Sequence, residues 1–282
     1  MSLDWHKGCP LKRLSIGIVG CGAIGSSLAK AIIKDFAKQA KLVAFYDLDN
    51  LKSRALAKIL KKKSLAVGSL KDLIIGSDLV IEAASAKSSF EIAKRALTFK
   101  KNILIMSVGG IATGFSILSK LAAKNNCKVY IPSGAISGID ALKAANMGKI
   151  KKVTLTTIKN PLGFRGVEYI KNKGIVLSGL KKEAVLFSGK AKDAVRYFPQ
   201  NVNVAAVLSL AGIGIRNTQV KIIASPKVTK NIHEVKIESS AGNIFTRTEN
   251  ILHPDNPKTS YLAVLSAIAT LRKVFEPVVI GT

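Results

Sequence analysis

Leu14-Ser-Ile-Gly-Ile-Val-Gly-Cys-Gly-Ala-Ile-Gly25 is the stretch on which the reading of the chain turns. Its first six residues suit a short buried strand. Residues 26–38 then repeat apolar side chains at helical spacing: Leu28, Ala29, Ile32, Ile33 and Phe36. A GxGxxG pattern between a strand and a helix is the dinucleotide-binding fingerprint. Gly20 allows the tight turn, Gly22 lets backbone approach a pyrophosphate, and Gly25 lets the helix lie close on the strand. Ala23 and Ile24 fill the pattern at the positive end of the helix, where the pyrophosphate would sit.

Outward from this stretch, a second strand over residues 41–46 ends at Asp47, 22 residues past Gly25. An acid there accepts hydrogen bonds from the adenosine ribose and repels a 2′-phosphate, so NAD is the expected coenzyme. Lys52 and Arg54 follow and can neutralise a 2′-phosphate, which leaves NADP open. Asp47 can also serve as a cap or turn acid for the helix predicted from residue 51. Strands over 78–84, 102–106 and 128–131 then alternate with helices over 87–97 and 111–125. That alternation predicts an α/β fold with a doubly wound parallel sheet. Ligands bind such sheets beyond the strand C-termini, which makes Ala83, Ala84, Ser85, Gly109 and Gly110 candidate coenzyme neighbours. Small residues at strand ends are also ordinary turn formers.

The pattern changes after Pro132. A small-residue loop over 133–138 leads into a helix over 139–147. Strand-like runs follow over 153–158, 184–187, 219–225, 233–239 and 244–248, with helices over 193–197 and 202–210. This predicts an α+β part built on a mixed sheet, closed by a helix over 261–274 that returns to the first part. The expected division is a nucleotide-binding part over 1–132 (with an extension over 1–12), a second part over 133–255, and a returning segment over 256–282.

Composition narrows the class. Of 282 residues, 48% are hydrophobic and 22% charged, which suits a chain with a sizeable core. Three cysteines, Cys9, Cys21 and Cys127, form no disulfide framework or zinc pattern, so a reducing cytoplasm is expected. His6, His233 and His253 leave little for a histidine-rich metal site, and no metal is expected. The apolar run over 14–33 is broken by glycines, serines and Lys30, unlike a signal core. Elsewhere no run is long enough to span a membrane. The net charge of +27 has three readings: lysine-rich helix faces, a polyanion partner, or a field that steers small anions. Aromatics are only 6% and do not interleave with the basic residues, which argues against nucleic acid.

Six segments together are similar to the L-aspartate dehydrogenase family. They are Gly17-Ile-Val-Gly-Cys-Gly-Ala-Ile-Gly25, Pro132-Ser-Gly-Ala-Ile-Ser-Gly-Ile-Asp-Ala-Leu142, Lys159-Asn-Pro161, Phe198-Pro-Gln-Asn-Val-Asn-Val-Ala-Ala206, Asn231-Ile-His233 and His253-Pro-Asp-Asn-Pro-Lys-Thr-Ser260. The first is common to many dehydrogenases; the last four in combination are more specific. The resemblance implies a Rossmann domain, a second sheet domain that carries catalysis and the subunit contact, and a homodimer. It implies oxidative deamination of L-aspartate with NAD or NADP through iminoaspartate, which in some organisms feeds NAD synthesis. The family's coenzyme contacts fall on Ala135 and Asn203, with Asn201 as the rival alignment, and its active-site histidine falls on His233. Three features depart from the family pattern: the basic stretch over 171–182, the high net charge and the N-terminal extension.

The chemistry agrees with that reading. Loss of hydrogen from Cα needs orientation and proton handling, and imine hydrolysis needs an activated water. An unperturbed histidine titrates in the right range, which singles out His233, although a surface strand residue is the plain alternative. Two carboxylates must also be held. Asn256, Lys258, Thr259 and Ser260 supply donors at the start of the last helix, where Thr259 or Ser260 is also a natural cap. His253 can bind a carboxylate or brace a turn. Competing expectations are another two-part Rossmann oxidoreductase, of the dihydrodipicolinate reductase or homoserine dehydrogenase kind, and a nucleic-acid-binding protein on a dehydrogenase fold.

Overall fold

The computed structural model describes residues 13–198, 202–254 and 256–282. The extension over 1–12, with His6, and the rival Asn201 lie outside the described residues. So do Asp255 and the side chains of Pro257 and Lys258.

Five strands form the first sheet: β1 (Leu14–Val19), β2 (Ala40–Tyr46), β3 (Leu79–Glu82), β4 (Asn102–Ile105) and β5 (Val129–Tyr130). All neighbours are parallel, in the order β2-β1-β3-β4-β5. Beyond β2, Ala66 makes a single parallel bridge to Phe45. This bridge stands where a dinucleotide-binding sheet has its third strand, so the doubly wound order survives with one strand reduced to a point. The linking helices are α1 (Ala23–Lys34), α2 (Asn50–Ile59), α3 (Leu70–Gly76), α4 (Ala86–Thr98) and α5 (Phe115–Lys124). They cover both faces, which is why Ile16, Ile18 and all of Leu79–Glu82 are buried. The short α3 is marked by Ser69, whose hydroxyl accepts from Asp72 N at 3.3 Å. The helix expected from residue 111 starts only at Phe115, because Val108–Gly110 winds as a 3-10 turn and Gly114 takes the N-cap.

The second sheet is mixed. Its strands are β6 (Ile150–Lys159), β7 (Ala184–Lys190), β8 (Gln219–Ala224), β9 (Asn231–Ser239) and β10 (Gly242–Asn250), in the order β10-β9-β6-β8-β7. Only β6 and β8 run parallel. Period-two alternation sets its inner face: Val153 and Leu155 of β6, with Val235 and Ile237 of β9, join one core with Ala191, Ala194 and Leu208. These last three come from α8 (Ala191–Tyr197) and α9 (Asn203–Ala211). The smaller helices α6 (Ile139–Ala145) and α7 (Glu168–Asn172) complete this part. A hairpin of β11 (Leu252–His253) and β12 (Asn256–Ser260) leads into α10 (Tyr261–Lys273). The last helix returns as expected. Ala267 and Leu271 enter the core that holds Leu28 and Ile32 of α1, and the Phe275 ring lies 5.7 Å from that of Phe36. Among the described residues, no helix is long and apolar enough to cross a membrane.

Candidate active site

The glycine loop is shaped by backbone geometry. Gly20 has φ +100°, and a Cβ there would lie 2.4 Å from the Ala83 carbonyl oxygen. A Cβ on Gly25 would lie 1.9 Å from the Gly20 carbonyl oxygen, so α1 can begin this close to β1 only without a side chain. At Gly22 a Cβ would meet no atom within 4 Å: the loop faces open space there. No acidic residue occupies the first turn of α1. A loop with an uncovered middle glycine on an unopposed helix N-terminus fits a pyrophosphate.

Asp47 holds this loop. Its Oδ2 accepts from Cys21 N at 2.8 Å and its Oδ1 from Asp49 N at 2.9 Å. Each oxygen keeps a lone pair that a ribose hydroxyl can use. The cap of α2 is Asp49, which accepts from Leu51 N at 3.0 Å, so Asp47 is a turn acid and not the cap. Lys52 pairs with Asp49 at 3.8 Å. Burial, with help from Asp47, pushes the Cys21 thiol up to about 12, which leaves it inert at neutral pH.

Glu82, at the end of β3, is fully buried. Its two oxygens accept from Ala84 N and Ser107 N, both at 2.9 Å, and so tie together the turns after β3 and β4. Burial raises its carboxyl above the ordinary range, and the amide donors oppose that rise. The next turn is tied to the second part of the chain: Gly109 N donates to Asn203 Oδ1 at 3.0 Å. Ser85 leads into α4, and its hydroxyl lies 3.1 Å from that of Ser88.

Where the two sheets meet, a cavity of about 130 Å³ opens. The first part contributes Ile24, Ile105, Met106 and Val108. The second part contributes Ala135, Lys159, Asn203 and His233, and the returning segment contributes Thr259 and Ser260. The loop with Ala135 is pinned from several sides. Its carbonyl accepts from Thr248 Oγ1 and Asn250 Nδ2, both at 3.0 Å, and Gly134 N donates to Ser266 Oγ at 3.1 Å. Asn231 Nδ2 donates to Ser260 Oγ at 3.2 Å. A larger hollow of about 620 Å³ lies beside Tyr169 and Tyr197. It lacks contact with the glycine loop and the turns around it, so the chemistry belongs to the smaller cavity.

His233 and Thr157 face one another across β9 and β6, with His233 Nδ1 3.0 Å from Thr157 Oγ1. The ring is buried, which removes the surface alternative. Burial, reinforced by the charge of Lys159, lowers its pKa to about 3. The expectation that His233 titrates near neutrality is thereby corrected: its imidazole is neutral at physiological pH, because an imidazolium would be desolvated beside an ammonium. Lys159 is 7% exposed, and burial lowers its pKa to about 8.

The last segment divides. Thr259 and Ser260 reach the cavity. His253 does not: its Nε2 lies 3.4 Å from Ser27 Oγ of α1, and its ring meets Tyr261 edge-on at 5.6 Å. The β11–β12 hairpin turns the imidazole toward α1, so His253 braces the last helix against the first, and its assignment to substrate is corrected. Asn256 Nδ2 donates to Thr259 Oγ1 at 3.1 Å and so supports a lining residue without lining the cavity itself. Two contributors escaped the sequence reading. Lys159 and Thr157 occupy the buried parity of β6 together with Val153 and Leu155. A lysine on the inward side of an alternating strand was the available signal. Glu82 carried a similar one, as an acid inside an apolar parallel strand.

A glycine-loop nucleotide site that opens onto a small cavity with buried acid–base side chains defines a nicotinamide-dependent oxidoreductase. Two family models match: "Homoserine dehydrogenase, NAD binding domain" over residues 20–132 and "Aspartate dehydrogenase, C-terminal" over residues 140–274. The L-aspartate dehydrogenase of Methanosarcina barkeri is 45% identical over 95% of this chain and 100% of its own length. That of Methanosarcina mazei is 46% identical at the same coverage. The crystal structure of aspartate dehydrogenase from Thermotoga maritima superposes with TM-score 0.70 at 27% identity, covering 96% of this chain and all of its own. The chain belongs to the L-aspartate dehydrogenase family. A homoserine dehydrogenase from Thiobacillus denitrificans shares the fold at 14% identity and TM-score 0.59.

Proposed function

We propose that the protein is an NAD(P)-dependent L-aspartate dehydrogenase, which interconverts L-aspartate with oxaloacetate and ammonia through iminoaspartate. The observation that carries this is full-length identity of 45% to L-aspartate dehydrogenases, joined to a cavity that brings Ala135, Asn203 and His233 together. Asp47 beside the glycine loop favours NAD over NADP, because a 2′-phosphate would face its carboxylate.

Gly20 to Gly25 would hold the pyrophosphate and Asp47 the adenosine ribose. The turns organised by Glu82, including Ala84, Ser85 and Gly109, would line the path toward the cavity. When bound, the nicotinamide supplies the acceptor for the Cα hydrogen and its bonding pair. Asn203 has its oxygen engaged by Gly109 N, so its amide is held at the boundary between coenzyme and substrate. Thr259 and Ser260 donate hydrogen bonds to a substrate carboxylate, with Ser260 oriented by Asn231. Thr157 fixes His233 through Nδ1, which directs Nε2 toward the substrate nitrogen or the attacking water. The apolar lining excludes bulk water, which strengthens each of these interactions. The homodimer expected from the family is part of the same proposal, and light scattering at assay concentration tests it.

Initial rates with L-aspartate, L-glutamate, L-alanine and L-homoserine, each with NAD and NADP, test the reading. The expected result is reduction of coenzyme with aspartate far above the other amino acids, and kcat/KM higher with NAD. A preference for homoserine would overturn it.

A further inference from the structure

The strand that faces His233 carries a second titratable side chain into the cavity. Lys159 closes β6 on the same inward parity as Thr157, and Thr157 is the residue that holds His233. Its backbone is fixed from β8: Ser225 N donates to the Lys159 carbonyl at 2.9 Å. The side chain is therefore anchored at its root and buried at its length, and it ends among the lining residues of the cavity. Resting on the dehydrogenase reading, we propose that Lys159 is the catalytic residue that exchanges a proton with the substrate nitrogen, while His233 acts as a neutral hydrogen-bonding partner.

The division of labour follows from charge. Of the elements around the cavity, β9 contributes His233, the only other titratable group in the lining among the described residues. The lining residues of α9 and β12, Asn203, Thr259 and Ser260, do not titrate near neutrality. Protonating His233 would place a second cation beside the Lys159 ammonium, and each charge opposes the other. Lys159 has the more accessible equilibrium: burial lowers its pKa to about 8, so amine and ammonium both exist near neutral pH. In the oxidative direction the amine of Lys159 takes one proton from the α-ammonium of aspartate, which leaves an α-amine. The Cα–H bond then breaks with its electron pair going to the oxidised coenzyme, the nitrogen lone pair forms the C=N bond, and iminoaspartate results in its protonated, iminium form. Lys159, now an ammonium, returns its proton to solvent before the next turnover.

The sign of the pH effect follows. Oxidation needs the amine, so kcat/KM for aspartate rises with pH through about 8; reductive amination needs the ammonium and falls over the same interval. The test compares wild type, Lys159→Arg and Lys159→Ala. Arginine keeps a cation for carboxylate binding but cannot give up its proton. In Lys159→Arg, kcat should fall by about a hundred- to ten-thousand-fold, with little change in KM for aspartate and with the limb near pH 8 gone. Coenzyme binding, read by quenching of protein fluorescence, should persist, and circular dichroism checks the fold. Should arginine prove too large for the cavity, Lys159→Ala decides: added primary amines should restore part of its rate in a concentration-dependent way. Full kcat in Lys159→Arg, a rise in KM alone, an unmoved pH limb, or an alanine variant indifferent to amines would overturn the proposal. A wild type inactive on aspartate would instead overturn the functional reading, and the lysine assignment with it.

Discussion

The two ends of the cleft are built by opposite means. At the coenzyme end, shape comes from backbone: Gly20 in a left-handed conformation, Gly25 under α1, and two carboxylates, Asp47 and Glu82, that accept from main-chain amides. At the reaction end, shape comes from side chains gathered from separate strands: Thr157 and Lys159 from β6, His233 from β9, and Thr259 and Ser260 from the segment before α10. The acids sit on the side that must hold ribose hydroxyls and order turns. The cation and the imidazole sit on the side that must handle an anionic substrate and its protons. The coenzyme end thus binds by rigidity, and the reaction end works by groups whose protonation is set by burial.

This contrast makes separable predictions. The largest effect belongs to the reaction end. His233→Ala should lower kcat for aspartate by about a hundredfold or more, because losing one preorganised hydrogen bond made in the transition state costs on that scale. Its coenzyme dissociation constant should be near wild type, since the glycine loop belongs to the other sheet. A variant that loses coenzyme binding along with kcat would merge the two ends and break the comparison. Asp47→Ala should do the reverse: it should leave turnover at saturating coenzyme largely intact while reducing the NAD-to-NADP ratio of kcat/KM by roughly tenfold, on the order of one lost charge-assisted contact. An unchanged ratio would leave Asp47 as a turn residue only.

Glu82→Gln sharpens the role of rigidity. Glutamine can accept from only one of the two amides now held by the carboxylate, and it turns an N–H toward the other. The expected cost is about 1–3 kcal/mol. A calorimetric scan should show a lower Tm, and KM for coenzyme should rise with kcat little changed. The smallest effect is expected from His253→Ala. Its ring braces α1 through Ser27 and packs on Tyr261, so Tm should fall slightly and KM for aspartate should stay put. A large rise in KM would return His253 to the substrate site.

The same contrast explains what could be read from the chain. Backbone devices leave local patterns: the GxGxxG run, the acid after β2 and the small residues after β3 and β4 are contiguous or regularly spaced, and each marks the coenzyme end. The strands of the second sheet were also legible, because one inward face imposes alternation. The reaction end was legible only where the family segments pointed to it. His253 and His233 look alike as polar residues near strands, and only the turn of the β11–β12 hairpin sends one to α1 and the other remains in the cavity. Thr157 is joined to His233 by the pairing of β6 with β9, a relation between residues 76 apart that no local spacing encodes, and Lys159 follows on the same face of β6. The protonation of His233 was out of reach for the same reason: its depressed pKa comes from burial and from a lysine on another strand.

The central claim is that the cavity between the two sheets removes the Cα hydrogen of L-aspartate and delivers it to the coenzyme. Assay with L-aspartate deuterated at Cα, followed by mass spectrometry of the reduced coenzyme, tests this directly. The reduced coenzyme should carry one deuterium per turnover, and His233→Ala should transfer the same label at a much lower rate. Reduced coenzyme without deuterium, or label released to solvent, would contradict it.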